Sequence, residues 1–204
     1  MAFNIDNFVN NGLRHGGARP TLFDVVVTFP TALVGVPSGA VEKLRFTARA
    51  SSIPASSVSA VDVPYFGRSV KVAGDRTFAD WSVTIMNDED YSVRNAFEAW
   101  HNNVNTIVSN RRIVADNPSG GYKGTAIVRQ YSKRGTQGGD TDFIKAYEFV
   151  NLFPVNVEEM GLDWEATNTV QTFGVTFAYD YWVPLMNNIG LEGGPTSPQI
   201  DVNA

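Results

Sequence analysis

The chain has no cysteine in its 204 residues. That removes disulfides, thiolate metal sites and cysteine nucleophiles together, so stability has to come from packing or from association. Histidine is nearly absent too, with only His15 and His101. No Gly-x-Ser-x-Gly elbow, glycine-rich phosphate loop or His-x-x-x-His pair is present. The N-terminal residues lack a basic region followed by an apolar one, so no secretory signal is visible. No apolar run approaches the roughly 20 residues of a membrane helix. Together these features predict a protein made and kept soluble in a cytoplasm, without stable membrane association. Positive charge is also scarce: 16 Lys and Arg stand against 21 Asp and Glu, for a net charge of −5. There is no basic footprint for gripping nucleic acid, although like charge can leave a DNA strand free to slide.

An ordinary apolar share of 43% argues for a folded globular chain. Residues 1–20 are rich in Asn and Gly and read as an arm with one short helix near Ile5 to Asn11. Thr21 to Phe29 is predicted as a strand, with Phe23, Val25, Val27 and Phe29 on one face at period two. Pro30 to Val41 reads as a turn or loop. Lys43 to Ala50 alternates and is predicted as a strand, with Leu44, Phe46, Ala48 and Ala50 inward. Lys43, Arg45, Thr47 and Arg49 then form a solvated or subunit-facing outer row. Ser51 to Arg68 reads as a long connection that nonetheless carries Ile53, Val58, Val61 and Val63. Such side chains pack either on their own domain or on a neighbouring subunit.

The stretch from Val63 to Trp100 organises the rest. Two alternating runs, Ser69 to Ala73 and Thr77 to Met86, flank Gly74-Asp75, which predicts a hairpin turn there. In the second run Ala79, Trp81, Val83 and Ile85 form the apolar face. Asn87 or Asp88 suits a helix N-cap, and Val93, Phe97, Trp100 and Val104 recur at helical spacing, predicting a helix over about 89–103. Helix capping accounts for the adjacent acids without a metal. Farther on, Asn105 to Lys123 reads as a loop and Gly124 to Ser132 as a strand, followed by a glycine-rich turn over Lys133 to Asp142. Phe143 to Phe153 is predicted as a strand ending at Pro154, Val155 to Trp164 as a turn with a short strand, and Val170 to Trp182 as the last strand. The chain after Pro184 reads as a tail. The sum is a mainly β sandwich or barrel with one flanking helix.

Glu158, Glu159, Asp163 and Glu165 could supply a carboxylate pair for glycoside hydrolysis. Nothing in the sequence separates them from solvated loop acids, so no catalytic, cofactor or metal residues are assigned.

Several motifs in register carry a family resemblance: Val-Pro-Tyr-x-Gly-Arg at 63–68, Ala-Gly-Asp-Arg-Thr-Phe-x-Asp-Trp at 73–81 and Met-Asn-Asp-Glu at 86–89. Val93-Arg94 and Phe97-Glu98-x-Trp100, Ala126-Ile127-Val128-Arg129-Gln130-Tyr131, Leu162-Asp163-Trp164, Gln171-Thr172-Phe173 and Asp180-Tyr181-Trp182 continue it. The chain from about Ala18 to Trp182 thereby resembles the tail tube proteins of contractile-tailed bacteriophages. The resemblance implies an arm at 1–20, a tail tube domain at 21–183 and a tail at 184–204. It also implies a virion structural protein without catalysis, assembled in the host bacterial cytoplasm into stacked six-fold rings. Those rings form a hollow tube through which genomic DNA passes without sequence-specific binding. The implied partners are further copies of the chain, the tail sheath protein, a baseplate or tube initiator, and a tail terminator.

Contacts between rings are expected from Ile53, Pro54, Val58, Val61, Val63, Tyr65, Phe66 and Arg68. Structural roles are expected for the motif residues Gly67, Gly74, Asp75, Arg76, Phe78, Asp80, Trp81, Asn87, Asp88 and Trp100. The loops Pro30 to Val41 and Asn105 to Lys123 and the tail depart from the family pattern. Rival readings are the tube of a phage-derived injection device that delivers protein, a glycan-binding β-sandwich module, and a carboxylate-dependent hydrolase.

Overall fold

A computed structural model describes residues 4–13, 17–114, 121–133 and 143–185. The turn expected over 133–142, the tail beyond 185, His15 and residues 115–120 of the long loop lie wholly or largely outside that set. The elements in order are α1 (Ile5–Asn7, continued by one wide turn over Phe8–Gly12), β1 (Phe23–Thr28), α2 (Ala40–Thr47), β2 (Ala48–Ser51), β3 (Ser56–Tyr65), β4 (Arg68–Phe78) and β5 (Trp81–Met86). They are followed by α3 (Ser92–Val104), β6 (Gly124–Tyr131), β7 (Phe143–Val157), β8 (Thr172–Ala178) and β9 (Tyr181–Leu185).

Seven strands form one antiparallel sheet in the order β1-β6-β7-β8-β5-β2, with β9 paired to β7 off that path. The ends of the path, β1 and β2, are not paired to each other, so no barrel closes within the described residues. The mainly β reading with a flanking helix stands.

The sheet divides at β7. Its first part pairs β6 on one side and β9 on the other, and its last residues pair β8. Asn151 sits at the division with φ 58°, a conformation that Asn tolerates better than most residues. Its side-chain amide donates to the Asp180 carboxylate at 2.6 Å, and the Asp180 amide donates to the Val150 carbonyl at 3.1 Å. Asp180 lies where β8 gives way to β9. The single strand expected over Val170 to Trp182 is therefore two strands, each following one part of the bent β7. Pro154, where a strand end was expected, lies within β7 at a register shift; a bulge is a position where a missing N–H costs no ladder bond.

The core gathers at this bend. Trp81 stacks on Phe149 at 4.3 Å between ring centroids and lies 5.3 Å from Phe177. Helix α3 closes over it with Val93, Phe97 and Trp100 of the expected stripe, all buried together with Ala96, while Val104, the fourth member of that stripe, is partly buried. Phe97 meets Phe177 at 5.7 Å, and Phe29 meets both Phe97 and Trp100. The helix begins at Ser92, after the expected position. Tyr91 occupies its N-cap with a left-handed backbone and no side-chain cap bond, while the Ser92 amide donates to Asp90 at 3.0 Å. Asn87 instead donates its side-chain amide to the Gln171 side chain at 3.1 Å.

Lys43 to Ala50 is not a strand. Residues Ala40–Thr47 form α2, with Ala40 and Leu44 buried one turn apart, and only Ala48–Ser51 is extended. Phe46, placed inward by strict alternation, is 73% exposed. The segment is built of helix formers, and two apolar residues at i, i+4 suffice once a sheet lies beneath them. In the expected row of cations Arg49 is exposed, whereas Lys43 and Arg45 hold partners. Arg45 Nε donates to the buried Asp24 carboxylate at 2.8 Å, which also accepts from the Tyr131 hydroxyl at 3.0 Å. Lys43 bridges Asp88 and Asp90, tying α2 to the turn before α3.

That bridge has a defined pH signature. Hydrogen bonds from Lys43 hold both carboxyls below their ordinary value, and the same bonds raise the lysine. Depressed acid pKa values contribute stability that is present above the ordinary carboxylate value of about 4 and lost as pH falls through the folded values. The raised lysine contributes below its ordinary value of about 10.4 and loses that contribution as pH rises through the folded one. Lys43→Met is expected to lower thermal stability slightly at pH 7 and to flatten the acid limb of a melting-temperature profile. An acid limb identical to that of the unaltered chain would contradict this account.

Candidate functional site

Strands β3 and β4 form a separate two-stranded sheet. The long connection expected over Ser51 to Arg68 is thus mostly a strand, whose partner is the segment just after it. The turn lies at Phe66-Gly67, with φ 41° and 80°, the paired positive values of a two-residue primed hairpin turn. It does not lie at Gly74-Asp75, which is inside β4. The reason is legible in the pattern. Val61 faces Val72, Val63 faces Val70 and Tyr65 faces Arg68, a mirror arrangement about the 66–67 turn that pairs like with like on one face.

Gly74 has a different purpose. The register shifts between Val58 and Ala60, so Ser59 opposes both Gly74 and Asp75 in a bulge. A Cβ at Gly74 would run into the Ser59 hydroxyl and come within 3.1 Å of a Val61 methyl. The Ser59 hydroxyl in turn lies 3.3 Å from the Asp75 carbonyl.

The hairpin is held at its root and bare along its length. The Trp81 indole N–H donates to the Ser52 carbonyl at 3.0 Å, and the Trp182 indole to the Ala55 carbonyl at 3.3 Å. Phe78 packs against Tyr179 and Trp182, with centroids 6.1 and 6.2 Å apart. Beyond the root, every residue of β3 is exposed. At about 3.3 Å per residue the ten-residue strand is about 33 Å long. One face carries Val61, Val63, Tyr65, Val70 and Val72; the other carries the Asp62–Lys71 ion pair at 3.1 Å, with Pro64 and Ser69. An isolated hairpin is at best marginally stable in water. Here a one-sided apolar blade with two open edges projects from a rigid root.

The structure brings Val61, Val63, Tyr65 and Arg68 to that apolar face, with Phe66 at the tip, 92% exposed and edge-on to Tyr65 at 4.7 Å. Val58 lies across from Arg76 beyond the bulge. Ile53 and Pro54 belong to the root connection, where Ile53 lines a shallow cleft with Pro20, Phe23 and Gln130. Of the motif residues, Gly67 makes the turn, Phe78 and Trp81 anchor the root, and Asp80 is exposed between β4 and β5, as is its neighbour Ala79. Ala79 therefore does not extend the apolar face of Trp81. Trp100 donates its indole N–H to the Tyr122 carbonyl at 2.7 Å inside the core. Val70 and Val72, absent from the residues expected at the contact, complete this apolar face; reading the mirror symmetry about Gly67 would have found them.

Among the described residues no three His, Asp or Glu side chains converge as a metal site. Glu158 lies beneath β8 with its carboxylate against Gly174, while Asp163 turns back to accept the Glu165 amide at 3.0 Å.

Residues 18–185 match a family model described as phage tail tube protein. The chain is 38% identical over 168 residues to tail tube protein gp19 of Enterobacteria phage T4, covering 81% of this chain and 90% of that one. It is 37% identical, with the same coverage, to the gp19 protein of Enterobacteria phage T6. Among solved structures, it shares a fold with a sheath/tube terminator of an extracellular contractile injection system (TM-score 0.56, 14% identity, 83% of this chain and 97% of that one). It also shares one with a chain of the sheath–tube complex of such a system (TM-score 0.53, 13% identity, 91% and 99%).

The bulge at Gly74 generates a specific expectation. Gly74→Val should disturb pairing in the hairpin while leaving the body's melting temperature within about 3 °C, because no core residue touches position 74. A large loss of body stability would show that the hairpin is part of the folding core.

Proposed function

Because this chain belongs to the phage tail tube protein family, we propose that the β3–β4 hairpin is the contact through which its copies stack. The chain is a structural component of a virion tail. Its work is self-assembly into stacked hexameric rings that form the inner tube of a contractile tail, with the lumen as a conduit for genome DNA during ejection. Net negative charge favours DNA that slides rather than adheres. In this reading residues 21–183 are the tube body, flanked by an arm at 1–20 and a tail at 184–204. Sheath, tube terminator and baseplate initiator are its partners, and assembly takes place in the host cytoplasm. No catalytic step is assigned.

The observation that carries the proposal is the apolar hairpin face, which no described residue of its own chain covers. Its valines and Tyr65 are about half exposed or more. Completing their burial is worth on the order of 1 kcal/mol each. Five such side chains at one contact give about 5 kcal/mol, only the low end of the roughly 4–15 kcal/mol that association costs. Repeated around a ring, the same contact is made many times at once, and that multiplicity stabilises a polymer. Two open strand edges, a liability in a monomer, become pairing surfaces in such an assembly. The 37–38% identity to phage tube proteins favours a DNA conduit over the protein-delivering device.

Replacing residues 57–77 with a short Gly-Ser linker should leave a soluble, folded monomer, since the aromatic root at Phe78, Trp81 and Trp182 is retained. That monomer should form no tubes in negative-stain microscopy. Tubes of normal length from the shortened chain would overturn the proposal.

A further inference from the structure

If the hairpin is one half of a stacking contact, the other half has to lie elsewhere on the same chain. The most exposed large hydrophobic side chain among the described residues is Trp164, at 102% of its reference area, with Leu162 at 86% nearby in sequence. Both stand on the segment between β7 and β8, which is braced at several points. The Glu158 amide donates to the Gly174 carbonyl at 2.8 Å and Arg94 donates to the Glu158 carbonyl at 2.6 Å. The Asp163 side chain accepts the Glu165 amide, and its carbonyl accepts the Ala166 amide at 3.3 Å. An indole held fully in water by a turn that hydrogen-bonds itself is a costly arrangement for a monomer.

Its place in the fold is informative. The hairpin leaves the sheet beside Trp81, which pairs with Phe177. The Trp164 segment joins Val157 to Thr172, and Thr172 pairs with Met86 at the far end of β5. The root of the hairpin that carries Phe66 and the segment that carries Trp164 thus attach at opposite ends of the seven-stranded sheet, whose six-residue strand β5 is about 20 Å long. Complementary features at opposite ends are what a head-to-tail contact requires.

The chemistry is complementary as well. Residues 158–165 hold four acids, Glu158, Glu159, Asp163 and Glu165, and no Lys or Arg. The same end of the sheet adds Asp88, Glu89 and Asp90, where Lys43 answers two of the three. The hairpin tip offers Tyr65, Phe66 and Arg68, two aromatic rings and a guanidinium, the types that dominate binding energy at interfaces.

We infer that the Trp164 turn is the receptor for the hairpin tip of a second copy of this chain. Phe66 and Tyr65 pack against Trp164 and Leu162, and Arg68 pairs with Asp163 or Glu165. Buried in that contact, an Arg–carboxylate pair or an Arg over the indole face gains what it lacks in water. The inference rests on the hairpin being the stacking element and names what it stacks on.

Trp164→Ala should fold, because the indole touches solvent, and its melting temperature should stay within about 3 °C. Tube yield by sedimentation and negative-stain microscopy should fall at least tenfold. Asp163→Arg with Glu165→Arg should likewise stop assembly, and adding Arg68→Glu to that same chain should restore most of the yield. Normal tubes from Trp164→Ala would overturn the inference, as would failure of Arg68→Glu to rescue the reversed turn. The hairpin-deleted chain separates the two levels: if it polymerises, the stacking role itself fails. If it does not while Trp164→Ala does, only the receptor is wrong.

Discussion

The buried indole of Trp81 is the joint on which this molecule depends. Its ring is stacked on Phe149 and flanked by Phe177, at the point where the long strand β7 turns from one set of partners to another. Its N–H reaches out of the core to the Ser52 carbonyl, next to the connection from which the exposed hairpin rises. One side chain therefore couples core packing to the orientation of a surface element. A second indole, Trp182, does the same from β9. For the proposed stacking contact, rigidity at the root matters because half-exposed valines leave little energy to spare for ordering a loose segment.

The body and the hairpin obey different stability rules. In the body, apolar faces of the sheet and α3 cover each other, and the buried amide of Asn103 is satisfied. Asn103 donates to the Val34 and Ala99 carbonyls and accepts the Val34 amide, pinning the 30–39 loop to the end of α3. In the hairpin no described residue covers the apolar face. A monomer tolerates this because the other face is polar and the strands pair with each other. In the proposed assembly, that face meets the fully exposed tryptophan of a second copy.

Much of the body was legible in the residues. Val25 and Val27 alternate as a strand and are buried; Val93, Phe97 and Trp100 recur as a helix and are buried. These patterns read correctly because each belongs to an element with one face on the core, where period and burial coincide. The segment over 40–50 misread for the opposite reason. Its burial rests on Ala40 and Leu44 alone, so a spurious alternation through Phe46 was as strong as the helical one. The turn at Gly74-Asp75 misread because a glycine beside an aspartate fits both a turn and a bulge. Only the pairing of valines across Phe66-Gly67 distinguishes them, and pairing is a long-range fact.

By itself, then, the sequence determined the class of the protein: the absence of catalytic and metal chemistry motifs, the alternating strands, the one amphipathic helix and a set of motifs shared with tail tube proteins. It also marked the 51–68 segment as apolar chain in need of cover. The tertiary structure decided where the chain turns, that β7 bends at Asn151 so the last strand has to split at Asp180, and that the hairpin and the Trp164 turn attach at opposite ends of one sheet. Local periodicity is written in neighbouring residues, whereas register, bulges and the two ends of a sheet depend on residues far apart in the chain, which meet only once it has folded.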